Sequence, residues 1–163
     1  IIGEIDQQMA HFFGEAFQEI ADNLQEIFSE LFGGGKVLLK LTDPDSLLES
    51  GIEIIAQPPG KKLQNISLLS TGEKTLTAVA LIFAILQYKP APFYLLDEIE
   101  SSLDDANLSR FNAYLKKASR SAQFILITHR RRTMEEADIL YGVTMPEEGV
   151  SKIVSLELDQ KVS

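Results

Sequence analysis

Apolar residues recur every three or four positions near the start of the chain: Ile5, Met9, Phe12, Phe13, Phe17, Ile20, Leu24, Ile27, Phe28 and Leu31. That period lays them along one stripe of a helix. Residues 1–32 are therefore predicted as one long amphipathic helix, stopped by Gly33-Gly34-Gly35. Two β-like runs follow, Lys36–Leu41 and Ile52–Gln57, and the "TDPDSLLESG" stretch between them suits an antiparallel pair. "PPGKK" reads as a turn, which closes a hairpin region spanning 33–66.

From residue 67 to 163 the pattern alternates. It predicts an apolar helix Glu73–Tyr88, a strand Phe93–Leu96, a helix near Asn107–Arg120 and a strand Gln123–Thr128. A short helix near Met134–Ala137 and two strands, Ile139–Val143 and Lys152–Leu158, complete it. Strands alternating with helices imply an α/β fold with a parallel sheet. "PFYLLDE" is apolar up to its acids, so both faces of that strand are expected to be buried.

At 163 residues the chain is one domain, or one lobe of something larger. It begins without Met in what reads as mid-helix, so a fragment is expected. Net charge is −9, which argues against a DNA-coating surface on this piece alone, because phosphate contact needs clustered Lys and Arg. With no cysteine, disulfides and cysteine-ligated metals are excluded, and a reducing cytoplasm is the expected setting. The longest apolar run, Ala78–Leu86, is too short to span a bilayer, and the N-terminus lacks a signal-peptide pattern.

Three stretches carry candidate chemistry. "LLSTGEK" opens the Glu73–Tyr88 helix, where Ser70-x-x-Glu73 is a capping-box pattern. The same atoms, the Ser70 hydroxyl with the backbone N–H groups of Thr71 and Gly72, form an anion-binding helix N-terminus. The glycine at 72 lets a phosphate approach the backbone. Asp97 and Glu98 end the "PFYLLDE" strand, where open α/β sheets place their ligands. An Asp there suits Mg²⁺ and a following Glu suits activation of water. "QFILITH" delivers His129 at the end of a second strand, followed by Arg130-Arg131-Arg132, read as a solvated basic run or a phosphate contact. No G-x-x-x-x-G-K-[ST] occurs, and "GGGKV" at Gly33–Val37 has the wrong glycine spacing, so the acid pair is half of a nucleotide site.

In order, Leu69-Ser70-Thr71-Gly72-Glu73-Lys74, Leu95-Leu96-Asp97-Glu98, Ser102-Leu103-Asp104-Asp105 and Ile127-Thr128-His129 resemble the signature motif, Walker B motif, D-loop and His-switch of ABC-type ATPases. The flanking wording, from about Ser67 to Leu158, resembles the C-terminal head segment of prokaryotic SMC (structural maintenance of chromosomes) proteins. The resemblance implies the C-terminal lobe of an ABC-type head: a parallel-strand sheet with flanking helices, an antiparallel strand pair, and a leading helix that belongs to the coiled coil. It implies ATP and Mg²⁺ as cofactors. The phosphate loop would lie in the N-terminal half of the same head, and two heads would sandwich ATP between them.

Within that frame Asp97 serves Mg²⁺, Glu98 activates water and His129 senses the γ-phosphate. Ser70, Thr71, Gly72 and Glu73 form the signature facing the opposite head's nucleotide, and Asp104 lies in the D-loop across the interface. Lys74 matches the basic residue after the signature Glu. Thr71 departs from the usual pattern, which has glycine there; its Cβ stands where a phosphate approaches the backbone.

Further partners implied are a kleisin subunit, with Met145–Gly149 and the last strands as the candidate contact, and DNA through the full complex. The expected setting is cytoplasmic and nucleoid-associated, in chromosome condensation and segregation. The isolated chain is expected to hydrolyse no ATP. Two other readings are an interaction module for a kleisin and a self-contained Mg²⁺-dependent nuclease using Asp97, Glu98 and Asp104.

Overall fold

The computed structural model describes residues 2–157 of the chain. A 31-residue helix, α1 (Ile2–Phe32), leads into the antiparallel strands β1 (Lys36–Leu41) and β2 (Ile52–Gln57), joined at the far edge of β2 by the short β3 (Gln64–Asn65). After a 3-10 turn at Ile66–Leu68 comes α2 (Thr71–Tyr88), then the parallel pair β4 (Phe93–Asp97) and β5 (Gln123–Ile127) with α3 (Asp105–Ala118) crossing between them. A one-turn helix α4 (Arg131–Met134) precedes the hairpin β6 (Ile139–Glu147) and β7 (Val150–Glu157). Leu158, expected to end the last strand, lies outside the described residues, as do 159–163.

The glycine triplet stops α1 as its sequence predicts. All three glycines have positive φ, and the Gly34 N–H donates to Ser29 O at 2.7 Å, closing the last turn. Gly35 is also sterically fixed: a Cβ there would lie 2.4 Å from Gln57 O. This tight corner throws β1 back along α1, and Val37 and Ala56 join Leu24, Phe28 and Leu31 in one buried core. The Gln25 side chain accepts the Val37 N–H at 2.9 Å and anchors the return.

Only the second half of α1 faces the core. Leu24, Ile27, Phe28, Leu31 and Phe32 are buried, whereas Ile5, Met9 and Phe12 are exposed although they continue the same stripe. Buried α1 residues meet Leu76, Val79, Ala80, Phe83 and Ala84 of α2, and Leu108, Phe111 and Leu115 of α3. No described helix is long and apolar enough to cross a membrane.

Two expectations need correction. The strand ending in Asp97 is not buried on both faces. Leu96 and half-buried Tyr94 pack inward with Phe124 and Leu126, while Leu95 is 61% and Phe93 57% exposed, beside exposed Ile125 and Ile127. Helices α2 and α3 cover one side only, so the other stands open. The short helix sits at Arg131–Met134, earlier than Met134–Ala137, because Asn112 on α3 holds that turn: its Nδ2 donates to Arg132 O and its Oδ1 accepts from the Thr133 hydroxyl. Every residue from Tyr141 to Glu157 is exposed, so the hairpin projects from the body.

The burial asymmetry along α1 predicts opposite outcomes for two like residues. Phe28→Ala should cost about 3–5 kcal/mol in denaturant unfolding, since it empties a filled core position. Phe12→Ala should change stability by less than about 0.5 kcal/mol.

Candidate functional site

Parallel pairing sets β4 and β5 in register from Phe93 opposite Gln123 to Asp97 opposite Ile127, so both strands end level. The ladder runs one bond further, with the Glu98 N–H donating to Ile127 O at 2.9 Å. There the chain turns sharply. Glu98 has φ 47°, and it is the one non-glycine residue with positive φ among the described residues. A glutamate in the left-handed region is held there at a cost of about 1 kcal/mol or more, the kind of strain that collects where side-chain direction matters. The turn aims the Glu98 carboxylate across the strand ends, where its Oε1 lies 3.4 Å from His129 Nδ1. Asp97, Glu98 and His129 are all exposed on that rim. Two loops from adjacent strands thus deliver an acid pair and an imidazole to one edge.

At the start of α2 the capping box is complete. Ser70 Oγ accepts the Glu73 N–H at 3.4 Å, and the Glu73 carboxylate accepts both the Ser70 N–H (3.0 Å) and the Ser70 hydroxyl (2.8 Å). Lys61 Nζ reaches the same Glu73 Oε2 at 2.9 Å. Burial pushes the Glu73 carboxyl upward, but the hydrogen bonds from Lys61 and Ser70, together with the Lys61 charge, outweigh it and hold the group below its ordinary 4.5. Thr71 and Gly72 open the helix beyond this cap. Gly72 has no positive φ, and a Cβ there would make ordinary contact with Ser102 O at 3.6 Å. The glycine is thus not required by its own backbone conformation.

Asp104 serves as N-cap of α3, its Oδ1 accepting the Asn107 N–H at 2.9 Å and its Oδ2 accepting from Asn107 Nδ2 at 3.2 Å. Among the described residues, Asp97, Glu98 and Asp104 do not gather into a three-ligand metal cluster. A lone strand-end carboxylate suits a Mg²⁺ ion that takes its remaining ligands from phosphate and water.

Sequence reasoning missed a set of polar contacts behind this rim, the most buried of them at Glu100. Glu100 is 1% exposed and accepts the Thr128 hydroxyl at 2.5 Å. Arg130, read as part of a basic surface run, turns inward and donates through Nη2 to Leu103 O. Arg131 pairs with Glu135, and Arg132 lies 3.8 Å from Asp105. The hydroxyls of Thr75 on α2 and Ser102 meet at 2.6 Å. Hydropathy carries no mark of any of these contacts, since a glutamate and an arginine both read as solvent-facing.

The family model for the RecF/RecN/SMC N terminal domain matches residues 6–152. The chain belongs to that family. It is 58% identical over 160 residues to the chromosome partition protein Smc of Bacillus subtilis, an alignment covering 98% of this chain and 14% of that protein. Against Smc of Halothermothrix orenii it is 53% identical over 162 residues, again with 14% of the relative covered. The chain therefore spans about one seventh of the length of these relatives.

A solved structure from work on ATP-driven dimerization and DNA-stimulated activation of SMC ATPases superposes with a TM-score of 0.84 at 46% identity, covering 91% of this chain and 89% of that one. The Pyrococcus furiosus Smc head domain, solved with an extended coiled coil and bound to the C-terminal domain of ScpA, gives 0.83 at 46% identity, covering 96% of this chain and 39% of that one. The mixed α/β arrangement found here is that of an SMC head segment.

Two predictions follow the geometry of this SMC head segment. A depressed carboxyl contributes stability that is complete above its unfolded value and is lost as pH falls through the folded one. Lys61→Met should therefore lower stability by a constant amount at neutral pH, and the difference from wild type should shrink below pH 4.5, the ordinary Glu73 value. Unfolding curves across pH check this; a difference that persists unchanged in acid contradicts it. At the strained turn, Glu98→Gly should be neutral or stabilising by up to about 1 kcal/mol, whereas glycine placed in ordinary backbone costs roughly 0.5–1 kcal/mol. Thermal melting separates these signs.

Proposed function

We infer that this chain is the C-terminal half of an SMC ATPase head. The observation that carries this reading is the meeting of Asp97, Glu98 and His129 at the level ends of two parallel strands whose outer face stands open. The sequence lacks a phosphate loop, and the open Phe93, Leu95, Ile125 and Ile127 face offers a seat for the N-terminal half that would carry it. We divide the chain into the coiled-coil-proximal helix 1–32, the hairpin region 33–66 and the catalytic lobe 67–163.

Asp97 would hold Mg²⁺ and Glu98 would orient the attacking water and accept its proton. Bound Mg²⁺ supplies charge neutralisation at the phosphoryl oxygens. His129 would sense the terminal phosphate, and its 3.4 Å distance to Glu98 supports a link to that carboxylate. On the other surface, Ser70, Thr71 and Gly72, with Glu73 fixing the cap, would meet the nucleotide of a second head through the α2 N-terminus. Asp104, the N-cap of α3, would set the D-loop shape at that interface. ATP would then join two heads, and its hydrolysis would part them, in chromosome condensation and segregation. The setting that fits is cytoplasmic and nucleoid-associated, with DNA met by the full complex.

The projecting hairpin supports a second role in the same protein. Tyr141, Val143, Met145 and Ile153 lie exposed along it, and a similar head was solved with ScpA bound. A kleisin subunit docking on β6–β7, including the Met145–Gly149 stretch that ends β6 and turns into β7, would cover that surface. The nuclease reading loses ground because its three acids are not gathered together.

The isolated chain should show no ATPase activity, and adding the N-terminal half should restore it; tight ATP binding by this chain alone, seen by calorimetry, would sink the half-site reading. In the restored head, Glu98→Gln should slow hydrolysis by about 10²–10⁴-fold while heads still pair on ATP. Asp97→Asn should abolish both, because it weakens the metal. Sedimentation with ATP distinguishes the two variants, and equal modest slowing with no trapped dimer in either would make the acid pair structural.

A further inference from the structure

Past the Glu98-to-Ile127 bond, among the described residues, no backbone hydrogen bond joins the loop that follows β4 to the loop that follows β5. Each would be free to adjust separately, yet Glu98 sits on one and His129 on the other. Beside the Glu98–His129 pair itself, two side-chain hydrogen bonds bridge them. Thr128, immediately before His129, donates its hydroxyl to Glu100, two residues past Glu98. Arg130, immediately after His129, donates to the carbonyl of Leu103, the residue before Asp104.

The Thr128 hydroxyl is used twice. It donates a hydrogen bond to Glu100 and accepts the Arg130 N–H at 3.0 Å, so its rotamer is fixed from both sides. Glu100 is buried and Arg130 Nε is buried with no hydrogen-bond partner. Buried charges are a poor means of raising stability, since apolar groups of like size often do as well or better. Their directional hydrogen bonds do something apolar groups cannot: they fix one loop against another.

We propose that Glu100, Thr128 and Arg130 are positioning residues, a two-point clamp that holds His129 against Glu98 and sets the D-loop at the same time. The Ser102–Thr75 hydroxyl contact at 2.6 Å extends the clamp to α2, so the loop carrying Asp104 is tied both to the signature helix and to the His129 loop. The proposal rests on the ATPase reading for its functional consequence. Displacing a catalytic group by about 1 Å can cost about 10²-fold in rate while substrate binding survives.

The test uses the full-length protein, measuring kcat and KM for ATP together with hydrogen exchange without nucleotide. Thr128→Val keeps the shape and removes the hydroxyl; Arg130→Met removes the second point. Each should lower kcat by about 10–100-fold with KM changed less than about threefold. Each should also speed exchange in 98–104 and 128–133 but not in α2. Thr128→Ser and Glu100→Gln, which keep the donor and the acceptor, should return kcat to within about threefold of wild type.

Phe28→Ala controls for lost stability: it should lower the melting temperature at least as much, yet leave kcat well below melting within about twofold. Wild-type kcat in Thr128→Val and Arg130→Met overturns the clamp, as does a failed Ser rescue or a Phe28→Ala loss equal to theirs. Should Thr128→Val fail to fold, Arg130→Met decides it, with Glu100→Gln as the conservative control. If Glu98→Gln itself leaves hydrolysis intact, the ATPase reading fails instead; if it abolishes hydrolysis while the clamp variants do not, only the clamp fails.

Discussion

The parallel pairing of β4 with β5 is the constraint on which the rest of the structure depends. Parallel strands need a crossover, and α3 supplies it, packing Phe111 and Leu115 against α1 and α2 on the way. The same pairing puts both strand ends on one edge, so whatever follows them in sequence meets in space. Asp97 and Ile127 lie opposite each other, and the next residues, Glu98 and Thr128, are each driven off the ladder. Glu98 leaves by a left-handed turn and Thr128 by a hydroxyl bond to buried Glu100. The site is thus an edge effect of strand register, and a slip of one residue in β5 would point His129 away from Glu98.

Structural and functional readings of single motifs coincide here instead of competing. Ser70 and Glu73 form a full capping box, and Asp104 is a full N-cap. Both are ordinary helix-start chemistry that accounts for their residue types. Yet a cap that ties its side chains to the first turn also holds the remaining N–H groups of that turn in one direction, which is what an anion site needs. The Ser70 hydroxyl is engaged with the Glu73 carboxylate at 2.8 Å, so a phosphate taking that hydroxyl would compete with the carboxylate. Lys61 bears on the outcome, because its hydrogen bond and charge favour the ionised, accepting form of Glu73.

The element order was legible in the sequence wherever one period dominated. The three-and-four spacing of α1 and the glycine triplet after it, the antiparallel pair, and the two strands ending in Asp97 and His129 needed only local pattern. Legible as well was the meeting of the acid pair with the histidine, since equal strands ending in chemistry-bearing residues point to one edge. What stayed hidden depends on partners distant in sequence. Arg130 reads as the first of three solvated arginines until the Leu103 carbonyl, 27 residues away, is found to accept its N–H. Glu100 reads as a third surface acid until Thr128 covers it. Helix α4 was misplaced because Asn112, a buried polar residue on α3, fixes its first turn through a carbonyl and a hydroxyl.

The open face of β4 and β5 explains a mismatch between sequence and surroundings. A strand reading "FYLL" is composed for burial on both sides, and here only Tyr94 and Leu96 face inward. Phe93, Leu95, Ile125 and Ile127 alternate with them on the other side, all about half exposed or more. Covering such residues is worth on the order of 1 kcal/mol each, a modest total, but its location matters more than its size. The exposed row runs along the strands toward Asp97 and Glu98. On the reading proposed above, a second half that covers this row in register must bring its own strand ends level with theirs. Apolar docking and completion of the nucleotide site would then be one event, governed by the strand register that already sets Glu98 beside His129.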